Sequence, residues 1–192
     1  MDPYIFTSSN TITESRKISA LWSLIKYSSN FFFSLGKPDP WGFNDNYFGY
    51  TDEKPPTADN NLRSIPDPII YKRVEDIKLA KKSACGDTFI QGENWTLYNK
   101  ESIEWINGEP SFIPSHLYIS TRLHPDEILT NSFRIIGFHS DVRLRKSLVN
   151  PNKLVFPPSE IEDSGILHWV MFSSPIYKKD NKLPSIELLL KT

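Results

Sequence analysis

Cysteine is nearly missing from this 192-residue chain, which has only Cys85. One cysteine excludes an internal disulfide framework and fits assembly in a reducing cytoplasm. Glycine is scarce too, eight residues against fifteen prolines. The loops should therefore be stiff, because proline reduces the entropy lost on ordering. No stretch has the length of a membrane span. The start, Met1-Asp2-Pro3-Tyr4, lacks the basic residues and apolar run of a secretory signal. The expectation is a chain that stays where it is made until something carries it out. Charge of one sign is also lacking, the formal net charge being -1. Two small basic clusters stand out, Lys78, Lys81 and Lys82, and then Arg143, Arg145 and Lys146. Neither offers the broad basic field that nucleic acid needs. They read as solvated faces or the rim of a protein–protein contact.

Apolar material is sufficient for a core. Hydrophobic residues make up 39% and aromatics 13%, which rules out a disordered tail. Thr11 and Glu14 form a capping box. Ile18, Leu21, Trp22 and Ile25 then share one helical face, so a helix is expected over residues 13–27. A run of phenylalanines, residues 31–35, reads as a strand. Further strands are expected at residues 69–71, 115–121, 133–139, 166–172 and 185–190. In the strand at 166–172, Val, Trp and Phe dominate and Pro175 follows. A hairpin is expected from residues 88–91 and 95–98 around Gly92-Glu93-Asn94, and Asn107-Gly108 marks a tight turn. The sum is an α+β, mainly β fold: an antiparallel sandwich or barrel-like core, one N-terminal helix and long Pro-rich loops. In residues 133–138, Phe133, Ile135 and Gly137 alternate with Arg134, Ile136 and Phe138, leaving apolar groups on both faces. That suits a strand covered on both sides, or covered on one side by a partner.

The residue types of several chemistries occur without their spacing. His116 and His124 are eight apart, which is neither helical nor finger spacing, so zinc is not expected. His139-Ser140-Asp141 has the members of a hydrolase triad, but neighbours on a strand point to opposite faces, and no Gly-x-Ser-x-Gly elbow exists. Cys85 as a nucleophile would need a histidine brought to it in space; an inert thiol is the plainer reading. Gly36-Lys37 after a strand superficially suggests a phosphate loop. Pro38 and Pro40 remove the amides such a loop needs, and no Ser or Thr follows the lysine. Glu160, Glu162 and Asp163 could hide a glycosidase pair, but read as a solvated loop. No cofactor and no metal is expected.

One stretch is more specific. After Phe31-Phe32-Phe33-Ser34-Leu35 comes Gly36-Lys37-Pro38-Asp39-Pro40-Trp41, then the turn-forming Asn44, Asp45 and Asn46, then Pro55-Pro56. Prolines and Asn/Asp residues cannot continue the strand, so the chain leaves the core into a rigid polar loop carrying a tryptophan. Trp41 is a lid on its own core or an anchor for a partner, and the two roles are compatible. Tyr47, Phe48 and Tyr50 add aromatics to the same loop.

The order of these elements resembles the N-terminal signature of a baseplate wedge subunit of contractile-tailed bacteriophages. The C-terminal third resembles that family as well, through Phe133-Arg134-Ile135-Ile136-Gly137-Phe138, the segment from Gly165 to Ile176 with its Pro175-Ile176 pair, and Ser185-Ile186-Glu187-Leu188-Leu189-Leu190. Residues 81–114 match poorly, so the chain looks like a compact version without the family's middle insertion. The resemblance implies one wedge-type domain over residues 1–192, with an N-terminal part (1–80), a divergent hairpin region (81–114) and a C-terminal β region (115–192). It implies a non-enzymatic virion protein of the tail baseplate, assembled in the host cytoplasm, a homodimer bound to other wedge proteins, with no nucleic acid or membrane partner. The candidate structural or interface residues are Gly36, Pro40, Trp41, Tyr47, Phe48, Tyr50, Pro55, Pro56, Phe133, Arg134, Gly137 and Pro175. The competing reading is a carbohydrate- or receptor-binding β module of a tail fibre, with exposed aromatics stacking on sugar. An enzyme would need a pocket converging on His139, Asp141 or Cys85.

Overall fold

The computed structural model describes residues 4–7, 23–25, 28–41, 43–44, 51–52, 55–57, 61–99, 105–106, 109–110, 114–145, 152–177 and 185–191. The chain is mainly β, as expected, with strands numbered β1–β17 in chain order. It divides into two compact units, each assembled from segments distant in sequence.

The first unit comprises Met1–Ser28, Val74–Leu123 and Pro184–Thr192. Its sheet runs β1 (Tyr4–Thr7), β17 (Ile186–Lys191), β11 (His116–Thr121), β6 (Asp76–Lys82), β8 (Glu93–Tyr98) and β7 (Thr88–Ile90). Only β1 and β17 pair in parallel. Ala80, Ile90, Trp95, Tyr118 and Leu189 pack together, with Leu97 against them. β17 is a central strand, as its sequence suggests. β6 was hidden by its lysines, which read as a basic cluster. Yet Leu79 and Ala80 are buried while Lys81 and Lys82 are exposed. The cluster is neutralised locally, Lys78 by Asp76 at 2.7 Å and Lys82 by Glu93. The β7–β8 turn is Gln91-Gly92, both left-handed (φ 53° and 79°), rather than Gly92-Glu93-Asn94. Glu93 and Asn94 instead join the ladder opposite Ile90 and Phe89, and this two-residue turn matches strand twist. β9 (Trp105–Ile106) pairs with β10 (Glu109–Pro110) in the register a turn at 107–108 demands. Asn107 and Gly108 themselves lie outside the described residues. Of the expected helix, Ser23–Ile25 are helical, Ile25 is buried, and the Leu24 carbonyl accepts the Ser28 amide at 3.1 Å. Ile18, Leu21 and Trp22 lie outside the described residues.

The second unit comprises Ser29–Arg73 and His124–Leu183. Its antiparallel sheet runs β14 (Val155–Phe156), β5 (Pro68–Arg73), β2 (Phe32–Gly36), β12 (Ser132–Ser140) and β16 (Ile166–Tyr177). Two short ribbons join β3 (Phe43–Asn44) to β4 (Thr51–Asp52) and β13 (Arg143–Leu144) to β15 (Ile161–Asp163). β12 lies between β2 and β16, and every residue from Phe133 to Ser140 is buried. This is the two-sided strand expected from its alternation. On one face Phe32, Tyr71, Val142, Phe156 and Ile161 form a core cluster. On the other, Phe138 meets Phe33 at 5.6 Å and Phe31 at 5.9 Å.

Two expectations are corrected in this unit. The acidic run is not a loop: Ile161–Asp163 is a strand, Asp163 pairs with Arg143 at 2.5 Å and Glu160 with Lys153 at 2.6 Å. Nor does β16 stop short of Pro175; it runs on to Tyr177. Proline is tolerated there because β16 is the last strand of its sheet and Pro175 sits in a bulge, where Ser173, Ser174 and Pro175 oppose Arg134 alone.

Candidate functional site: a docked loop and the strand beneath it

The loop after β2 begins at a close approach of backbones. A Cβ on Gly36 would stand 2.8 Å from the Pro66 carbonyl oxygen and 2.9 Å from that of Asp67, so only glycine fits. Lys37 then turns left-handed (φ 56°) and donates its amide to the Asp67 carbonyl at 3.0 Å. At the next residue, the Pro38 carbonyl accepts from Arg134 Nη1 and, at 3.3 Å, from Ser132 Oγ. Arg134 is only 4% exposed. Its cationic side chain is spent on holding this loop, not displayed. A charged donor makes such a bond stronger than a neutral one.

Trp41 closes the loop onto the last strand of the sheet. Its indole Nε1 donates to the Ser173 carbonyl at 2.9 Å, and its ring lies 5.2 Å from that of Phe172. Ser173 Oγ, with one proton to give, has two carbonyl acceptors in reach, that of Ser174 at 2.8 Å and that of Arg134 across the strands at 3.2 Å. Gly36, Pro38, Trp41, Arg134 and Ser173 thus form one connected clasp. Pro40 is half-buried within it, and Pro175 is half-buried in the bulge beside it. Pro55 is half-buried and Pro56 exposed. Tyr47, Phe48 and Tyr50 lie outside the described residues. Phe133 is a core residue, 1% exposed.

Gly137 supports a second polar group inside the sheet. Ser34 Oγ and His139 Nε2 are hydrogen-bonded at 2.7 Å, both residues fully buried. A Cβ on Gly137 would fall 2.6 Å from Ser34 Oγ and 2.7 Å from Ile65 Cγ2. Gly137→Ala is expected to cost about 1–3 kcal/mol by overpacking. Urea unfolding measures it, and an unchanged midpoint would show that the sheet absorbs the methyl group. Burial lowers the His139 pKa to about 4, opposed by the Ser164 backbone and reinforced by repulsion from His168.

The triad residues are arranged differently from what catalysis requires. The histidine bonded to Ser140 is His168, at 2.8 Å, and not His139. Ser140 Oγ donates to Asp141 Oδ2 at 3.0 Å. A hydroxyl has one proton, so His168 is then the donor to Ser140, the reverse of base activation. Ser140 is also fully buried. Asp141 Oδ1 accepts the Ser29 amide at 2.8 Å, which marks the group as a fastener between chain segments. Cys85 is an exposed thiol. Among the described residues no group of three or more His, Cys, Asp or Glu is placed to hold a metal ion, and no helix is long and apolar enough to cross a membrane.

Sequence reasoning missed one buried pair. Lys72 is 0% exposed and donates to Glu127 Oε1 at 2.6 Å, while Glu127 Oε2 accepts the His124 amide at 3.0 Å. Extending the strand read at 69–71 by one residue would have put Lys72 on the Ile70 face. Nothing in the sequence points to Glu127 as its partner.

Comparison with known proteins gives the chain a family. The sequence model of a family described as baseplate wedge 3 tail fiber network component matches residues 10–192. The chain belongs to that family. "Virion protein 3" of Enterococcus phage phiEF24C is 22% identical over 159 residues, covering 82% of this chain and 81% of that protein. The two are therefore of similar length. As a member of the baseplate wedge family, the chain is a structural protein of a phage tail, and its place is in the virion. Trp41 lies within the residues that the family model matches.

Proposed function

We propose that this protein is a non-enzymatic subunit of the baseplate wedge in a contractile phage tail. The whole chain, residues 1–192, acts as one wedge-type module. It holds neighbouring wedge proteins in register during assembly and lets their interfaces shift on contraction. It assembles in the host cytoplasm, pairs with a second copy and binds other wedge subunits, without nucleic acid or membrane. The observation that carries this reading is the clasp. Arg134, Ser132 and Trp41 fix the start of a long Pro-rich loop to the sheet, so whatever follows is presented from a set position. Preorganisation of this kind lowers the cost of binding.

The experiment is hydrogen exchange on the isolated chain and on the assembled particle. Strong added protection over residues 36–64 on assembly is the expected result. Equal protection in both states refutes the scaffold role of this loop. The rival, a sugar-binding module of a tail fibre, needs aromatic faces open to solvent. Trp41 instead packs on Phe172. Glycan binding by the isolated chain, lost in Trp41→Ala, would favour the rival.

A further inference from the structure

Among the described residues β16 is the last strand of its sheet, and it is twelve residues long. From Ile166 to Tyr177 it carries no Asp, Glu, Lys or Arg. Leu167, Trp169, Val170, Met171 and Phe172 are half-buried, whereas the equally apolar β12 beside it is buried from Phe133 onward. Long, uncharged, apolar edges are the ones that recruit further strands, and proteins usually blunt them with lysine, bulges or a covering segment. β16 has two bulges, at His168 and at Ser173–Ser174–Pro175, and no charge.

We propose that Trp41 is an edge guard that keeps β16 from pairing with the β16 strand of a second copy of this chain. Three observations converge on this. The indole Nε1 occupies the Ser173 carbonyl at 2.9 Å, an acceptor on the last strand of the sheet. The ring covers Phe172. The loop that carries Trp41 is itself fastened, through the Pro38 carbonyl, to Arg134 and Ser132 of β12, so the guard is held in place and not merely leaning there.

A second copy is the occupant that β16 fits. An antiparallel two-fold pairing sets residues on the same face opposite each other when centred on one residue. Centred on Met171, it places His168 of one copy opposite Ser174 of the other, so that the two bulges of each strand meet their counterparts. Val170 then faces Phe172, apolar on apolar. With no charge along the strand, no like charges come into register. This contact is distinct from any dimer of the native particle, because it forms only when Trp41 leaves.

The test uses the full chain and three variants, with association followed by sedimentation velocity across protein concentration and folding by circular dichroism. Trp41→Phe keeps a ring on Phe172 and removes only the donor. Trp41→Ala removes both. The expected result is self-association tightened by roughly tenfold in Trp41→Phe, about what the loss of one competing hydrogen bond supplies, and by more in Trp41→Ala. Trp41→Ala combined with Ser174→Lys, which puts a charge at an exposed edge position, should return association to the level of the unmodified chain. The inference is overturned if folded Trp41→Phe associates no more than the unmodified chain. It is equally overturned if the added lysine leaves the association of Trp41→Ala unchanged, since the new contact then lies elsewhere. If Trp41→Ala fails to fold, Trp41→Phe with and without Ser174→Lys gives the same decision.

Discussion

Phe138→Ala should lower the unfolding free energy by about 3–5 kcal/mol, the usual cost of truncating a buried phenylalanine. Phe138 is 0% exposed and lies in β12, between the paired strands β2 and β16. Its ring stacks on Phe31, 5.9 Å away with the planes 9° apart, and meets Phe33 at 5.6 Å and His168 at 5.8 Å. Phe33 and Trp169 flank it on the neighbouring strands. A cavity here is bounded on both sides by paired strands, so the sheet cannot collapse into it. Set against a typical total of about 5–15 kcal/mol, the loss would leave little stability. Urea unfolding should show a lower midpoint at unchanged slope. Phe138→Leu, which keeps most of the volume, should lose under about 1.5 kcal/mol. A loss below about 1 kcal/mol for the alanine variant would mean that this face of β12 is not the packed core described above.

β12 is also where the sequence was most legible. Apolar groups on both faces of residues 133–138 ask for both faces to be covered, and every residue from Phe133 to Ser140 is buried. The same holds for β17, whose Leu188–Leu190 run has no exposed face to spare. β6 and β15 were missed for one reason: strands that bury only part of their length carry charges that read as surface. In β6 the burial falls on Leu79 and Ala80, and in β15 on Ile161. The end of β16 was misjudged because proline stops a central strand but not a bulged one at the end of a sheet.

The candidate site divides in the same way. Gly36 and Gly137 were candidates only through the motifs that contain them; the Pro66, Asp67, Ser34 and Ile65 atoms that exclude a side chain there are brought close by the fold. Trp41 was legible as a lid, an anchor or both, and it packs on its own sheet through a hydrogen bond to Ser173 and a ring contact with Phe172. Arg134 gave no sign that it would turn inward to the Pro38 carbonyl. An arginine in a strand looks the same whether it faces solvent or a buried carbonyl ninety-six residues away in sequence. The Ser34–His139 and Ser140–His168 bonds are of the same kind, since each joins segments that only the strand order brings together.

That strand order also sets the pH response. His139 is fully buried, bonded to Ser34 through Nε2, with the Tyr71 ring 5.7 Å away and His168 repelling its charged form. Its pKa falls from 6.5 to about 4 in the folded chain. Between those values the unfolded chain binds a proton that the folded one excludes, so stability rises with pH across that window. The contribution is fully present above pH 6.5 and is lost as pH falls through the window. It amounts to about 3 kcal/mol at 1.36 kcal/mol per pKa unit. His116, lowered to about 4 chiefly by burial, acts in the same direction. Asp163, held low by the Gly165 amide and then by Arg143, adds a loss only at more acidic pH. Glu187, raised by burial, works the opposite way. These other groups are common to the protein and to a His139→Asn variant, which cannot take up the proton. Urea unfolding of both at pH 7.5 and pH 4.5 therefore isolates His139. The variant should be less stable at pH 7.5, because Ser34 loses a well-placed partner, but it should lose about 2–3 kcal/mol less on acidification. If both proteins lose the same amount, His139 is not the group that titrates.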